Sequence, residues 1–100
     1  MVSHSVDENA LHITVEIANF DASNAGAIKE SFRKLSESRG GRPVRVDLSG
    51  VDFIDSSGIG ALLSLFKACD QNLTLVKPRP TVVSDLELLR LHRVFPMELD

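Results

Sequence analysis

The sequence predicts a single α/β domain over residues 1–100, with a mixed, mostly parallel sheet of about four to five strands covered by about three helices. Leu11, Ile13, Val15 and Ile17 alternate with His12, Thr14, Glu16 and Ala18, the period of a strand with one buried face. Further along, helical stripes and short apolar runs take turns, an order that calls for right-handed crossovers between parallel strands. With 100 residues, 43% of them hydrophobic and 25% charged, the chain has enough apolar material for one core.

Residues 2–6 form a short edge strand, and Asp7-Glu8-Asn9 supplies a turn into the strand at 11–17. Asp21 or Ser23 caps a helix over 22–38. Its buried face is Ala25, Ile28, Phe32 and Leu35, and its wet face is Lys29, Glu30, Arg33, Lys34 and Glu37. Gly40-Gly41 stops that helix, and Pro43 leads into a strand through Val44, Val46 and Leu48. A second helix is expected over 57–70, burying Ile59, Leu62, Leu63, Phe66 and Cys69. Leu73, Leu75 and Val76 make the next strand, closed by the Lys77-Pro78-Arg79-Pro80 corner, which reads as a solvated turn. The third helix covers 81–91 with Val82, Leu86, Leu89 and Val83 inward, although Ser84 and Glu87 would also suit a capping box starting at Ser84. Val94, Phe95 and Met97 form a last extended segment, which Pro96 confines to an edge.

Composition narrows the function classes. Fourteen acidic against eleven basic residues, net charge -3, argue against a nucleic-acid partner. The single cysteine, Cys69, has no internal partner for a disulfide and falls on an apolar helical stripe, where a buried core thiol is expected. The first residues lack a basic and apolar leader pattern, and no stretch is long and apolar enough for membrane insertion. A cytoplasmic protein is the expectation.

The chemistry concentrates in Asp52-Phe53-Ile54-Asp55-Ser56-Ser57-Gly58-Ile59-Gly60, where a short strand breaks into a polar turn and a helix begins. Asp55 or Ser56 can act as the N-cap, and serving as a cap is the ordinary role of such a residue. The same geometry exposes a hydroxyl at a helix N-terminus, where amides and dipole tolerate a phosphate while Asp52 and Asp55 would make the modified surface strongly negative. Ser56 is therefore a candidate phosphoswitch. Gly58 and Gly60, lacking side chains, would let a partner approach closely.

Competing chemistries fit less well. A dinucleotide loop needs a third glycine where Leu63 stands, and no Walker A run exists. A serine hydrolase lacks its elbow, because Ile54 and Gly58 flank Ser56 at two residues' distance. His4, His12 and His92, the only possible bases, sit at surface or cap positions.

The stretch from Val44 to Leu65, with Asp-Phe-Ile-Asp-Ser-Ser-Gly-Ile-Gly-Ala-Leu at its centre, resembles the signature of STAS domains, and more narrowly that of bacterial anti-sigma factor antagonists. The order and spacing of the other elements extend the resemblance over nearly the whole chain. It departs at Ala18, where the family usually has glycine, and after Phe95, where the family's usual C-terminal helix does not follow. The resemblance implies a non-enzymatic partner switch without a cofactor of its own. Its unphosphorylated form binds an anti-sigma factor or serine protein kinase, phosphorylation at Ser56 releases that partner, and a PP2C-like phosphatase restores the hydroxyl. ATP and magnesium belong to the kinase. It further implies partner contact at Asp21, Asp55, Ser56, Ser57, Gly58 and Ile59. The alternative is a STAS scaffold that binds constitutively and is not switched by phosphorylation.

Overall fold

A computed structural model describes residues 1–99 of the chain. Seven strands and three helices follow in the order β1 (Val2–Val6), β2 (Leu11–Val15), β3 (Asn19–Phe20), α1 (Ala25–Glu37), β4 (Val44–Asp47), β5 (Phe53–Ile54), α2 (Ser56–Ala68), β6 (Leu73–Val76), α3 (Pro80–Leu88) and β7 (Met97–Glu98). A single turn of 3₁₀ helix, Leu91–Arg93, sits between the last two. The main sheet has the order β1-β2-β4-β6-β7, and only the β1–β2 hairpin is antiparallel. The expected α/β class, mixed sheet and helix number all hold.

Register explains the alternation seen in the sequence. Leu11 pairs with Val44 and Val44 with Leu73, so Leu11, Ile13, Val15, Val44, Val46, Leu73 and Leu75 share one face and are buried. His12, Thr14, Arg45, Asp47 and Thr74 share the other face and stay half-buried. The first face carries the core, filled by Ile28 and Phe32 of α1, Leu62 and Leu65 of α2, and Val82 and Leu86 of α3. Phe32 meets Phe20 edge-on at 6.3 Å between ring centres, and Phe66 meets Phe95 at 5.2 Å.

Several element bounds differ from expectation. Helix α1 starts at Ala25, because residues 21–24 form a separate turn: the Ala25 amide donates to the Asp21 carbonyl at 2.8 Å. Its N-cap is Asn24, not Asp21 or Ser23, and the Asn24 side chain turns back to bond Asn19 and Asp21 instead of capping. In α2, Leu65 takes the core position expected of Leu63, which is exposed. Gly58, Leu62, Leu65 and Cys69 advance by three and four residues along one stripe, and Leu63 lies 100° off it.

Helix α3 starts at Pro80, a residue suited to the first helical turn, so Ser84 opens no capping box. It also ends early. Arg90 adopts the left-handed conformation (φ 59°) and turns the chain away, leaving Leu89 exposed where an inward position was expected. Only Met97–Glu98 of the last segment forms a strand, at the sheet edge, while Phe95 is buried. Ala18 needs no glycine-like backbone, since it is not among the residues with positive φ.

Candidate functional site

A second, two-stranded sheet that periodicity did not reveal assembles the site. β3 and β5 run parallel, with Asn19 opposite Phe53 and Phe20 opposite Ile54. Continuing that register by one residue sets Asp21 beside Asp55, so two acidic turns remote in sequence leave the sheet side by side. Ala18 begins the pairing: its carbonyl accepts from the Asp52 and Phe53 amides at 2.8 and 3.0 Å.

Asp55 is the N-cap of α2. Its Oδ1 accepts from the Ser57 and Gly58 amides at 2.8 and 3.1 Å, while Oδ2 accepts from the Ala22 amide at 3.2 Å. One carboxylate thus satisfies two orphan donors of the helix and ties the Asp21 turn to it. The Asp21 side chain folds onto its own turn, accepting from the Ser23 amide and hydroxyl. Replacing Asp55 by alanine is expected to lower stability by about 1–2 kcal/mol. Asp55→Asn keeps the Oδ1 bonds to the helix but sets an NH2 donor against the Ala22 amide, and should recover only the capping part of the loss. Urea unfolding of the three proteins measures this; equal midpoints for wild type and Asp55→Ala would show that the cap contributes nothing.

With Asp55 as the cap, Ser56 becomes the first helical residue. Both Ser56 and Ser57 are exposed, and neither hydroxyl has a hydrogen-bond partner among the described residues. Gly58 and Ile59 point the other way and are buried. The space left by the missing Gly58 side chain is taken by the protein itself: a Cβ there would lie 2.5 Å from the Phe20 carbonyl oxygen and 2.8 Å from Ile54 Cγ1. Of these two glycines, only Gly60 leaves open space where a side chain would stand, a Cβ there meeting nothing within 4 Å.

Beside Ser56 lies a shallow hollow lined by Phe53, Ile54, Asp55, Ile59, Asp85, Leu88 and Leu89. Its rim is unusually apolar for a surface, because Phe53, Leu88 and Leu89 are 50%, 82% and 58% exposed. No histidine lines it. Sequence reasoning missed this patch. Leu89 falls on the helical period of Val82 and Leu86, and only the early end of α3 brings it to the surface.

The electrostatics also differ from a bare acidic cluster. Arg79 Nη1 lies 2.7 Å from Asp52 Oδ1, and its Nε donates to the Ser49 carbonyl at 2.6 Å. The Thr81 hydroxyl donates to the Asp52 carbonyl at 3.0 Å. Asp52 thus has its own cation, drawn from the corner that reads as a solvated turn, and Asp55 and Asp85 are the carboxylates left beside Ser56. Elsewhere, Cys69 is fully buried, and burial pushes its thiol above the usual range, against a reactive role. Among the described residues no group of three or more His, Cys, Asp or Glu side chains is placed to hold a metal ion, and no helix is long and apolar enough to cross a membrane.

Solved structures share this arrangement of elements. An anti-sigma-factor antagonist (STAS) domain protein from Planctomyces limnophilus superposes with a TM-score of 0.87 at 20% identity, over 96% of this chain and 87% of that one. An anti-sigma factor antagonist from Mycobacterium paratuberculosis gives 0.86 at 18% identity, over 100% and 86%. The Bacillus cell fate determinant SpoIIAA in its phosphorylated form gives 0.69 at 16% identity, over 98% and 91%. At these identities the likeness is one of fold. The sequence profile of the STAS domain matches residues 5–100. The chain belongs to the STAS domain family.

Proposed function

We propose that this protein is a non-enzymatic partner-switching regulator in which Ser56 is the phosphorylation site. The unphosphorylated form binds an anti-sigma factor or serine protein kinase through a face that includes Asp21, Asp55, Ser56 and Ser57. Phosphorylation of Ser56 releases the partner, and a PP2C-like phosphatase restores the hydroxyl. Gly58 and Ile59, buried under that face, shape it from below. On this reading the protein acts in the cytoplasm as a substrate of the kinase and catalyses nothing itself.

One observation carries the proposal: an exposed, unbonded serine hydroxyl at the first residue of α2, on the lip of an apolar hollow. A neutral serine can be buried against a partner together with Phe53, Leu88 and Leu89. A phosphoserine brings about -1.5 to -2 charges to the same spot, beside Asp55 and Asp85, and must be desolvated with them. The helix N-terminus favours the modified state in the free protein, which works in the same direction. The likeness to proteins named anti-sigma factor antagonists, and to the cell fate determinant SpoIIAA in its phosphorylated form, agrees with this reading.

Mass spectrometry of protein purified from its native cells tests it, with Ser56→Ala alongside wild type. Phosphate on Ser56 of the wild type, together with co-purification of a serine kinase or anti-sigma factor, is the expected result. If a partner co-purifies while Ser56 stays unmodified in every growth condition, the constitutive scaffold becomes the better reading.

A further inference from the structure

β1 forms one edge of the main sheet, and Ser3, His4, Ser5 and Val6 are exposed along it. The Glu16 amide donates to the Met1 carbonyl and the Asp7 amide to the Ala10 carbonyl, which makes Met1, Ser3, Ser5 and Asp7 the residues whose backbone groups face β2. Val2, His4 and Val6 therefore aim their N–H and C=O groups at the open side. Sheet edges are normally guarded by charge, proline or a bulge. The opposite edge shows such guards: β7 has two residues, follows Pro96, and carries Glu98 paired with Arg45 at 2.9 Å. β1 has neither a proline nor a Lys, Arg, Asp or Glu.

The sequence of this edge also says what fits it. Val2-Ser3-His4-Ser5-Val6 reads the same in both directions. An antiparallel copy centred on His4 sets valine against valine, serine against serine and histidine against histidine. Val2, His4 and Val6, whose backbone groups point outward, then fall in the positions that exchange two N–H···O bonds per pair. The same residues stand on the helix-bearing face, because they pair with Val15, Ile13 and Leu11. Val6, 47% exposed in the monomer, would lie against Val2 of the partner subunit.

We propose that β1 is a self-association edge, at which two copies of this chain pair β1 with β1 antiparallel across a twofold axis at His4 and join their sheets into one. None of Asp21, Asp55, Ser56 and Ser57 lies on β1, so the dimer leaves the residues of the Ser56 turn outside the paired strands.

Sedimentation equilibrium of the full chain, from micromolar to millimolar concentration, tests the idea. Wild type is expected to show a monomer–dimer equilibrium. His4→Pro removes an amide that points away from β2, so the monomer ladder is kept while self-association weakens by at least about tenfold. A wild type that stays monomeric to millimolar concentration overturns the proposal and leaves the edge to a strand of another protein. A dimer undisturbed by His4→Pro overturns it as well. Cross-linking keeps the test open should the proline variant misfold. His4→Cys places two thiols on the axis about 5.5 Å apart at Cα, within disulfide reach, and a mild oxidant should yield covalent dimer. Ser3→Cys, whose counterpart is Ser5, should yield little, and buried Cys69 does not compete. Equal cross-linking of both variants would exclude the His4-centred register.

Discussion

A Gly58→Ala variant is expected to lose about 3 kcal/mol of stability, although alanine is normally the better helix former by about 1 kcal/mol. The added Cβ would stand 2.5 Å from the Phe20 carbonyl oxygen, 2.8 Å from Ile54 Cγ1 and 3.1 Å from Phe20 Cγ. Two of these neighbours are buried side-chain carbons and the third is backbone. The Phe20 carbonyl itself accepts from the Asp55 amide at 3.2 Å, so moving it away would strain the β3–β5 pairing that holds the Asp21 and Asp55 turns together. Gly60 is the internal control. It lies two residues further along the same helix with nothing within 4 Å of its would-be Cβ, and Gly60→Ala should leave stability unchanged or raise it by up to about 1 kcal/mol. Urea unfolding separates the two outcomes. A Gly58→Ala protein as stable as Gly60→Ala would mean that α2 is not seated this closely on β3.

If the proposed switch operates, Ser56→Asp is expected to lower affinity for the proposed kinase or anti-sigma partner about a hundredfold or more and to leave the unfolding midpoint close to wild type. A carboxylate at the first residue of α2 is compatible with the helix dipole, so the fold has no reason to change. Binding is different. Phe53, Leu88 and Leu89 gain from contact only if the hollow is dried, and drying an unpaired carboxylate there costs several kcal/mol. Each 1.4 kcal/mol is tenfold in affinity. Ser56→Ala should bind like wild type and resist release by the kinase, and Ser56→Asn separates added bulk from added charge. Titration calorimetry of the four proteins against the purified partner reads this directly. An Asp variant that binds as tightly as wild type would remove charge as the switching force.

Much of this was legible in the chain. The alternation at 11–17 announced a sheet with one covered face, since Leu11, Ile13 and Val15 are fully buried and His12 and Thr14 are not. The strand ends at Val15, however, and Ile17, expected within it, is only half-buried. Aspartate before two serines announced a capped helix start with an exposed hydroxyl, but left the cap open between Asp55 and Ser56, and the structure assigns it to Asp55. What escaped were features without a local period. β3 and β5 are two residues each, too short to alternate, yet they align the Asp21 and Asp55 turns. The αL turn at Arg90 left no mark that distinguished it from helix, and it turned Leu89 from expected core into surface.

By itself, then, the sequence determined the layers, because strand and helix periods record which side of each element avoids water. It also placed Ser56 at the start of a helix, because capping is decided within a few residues. Only the tertiary structure decided what surrounds that serine. The pairing of Asp52 with Arg79, the packing of Gly58 on Phe20, and the convergence of Phe53 with Leu88 and Leu89 each join segments distant in the chain. Such contacts depend on how parallel strands are registered and where a helix stops, and neither is written in the spacing of neighbouring residues.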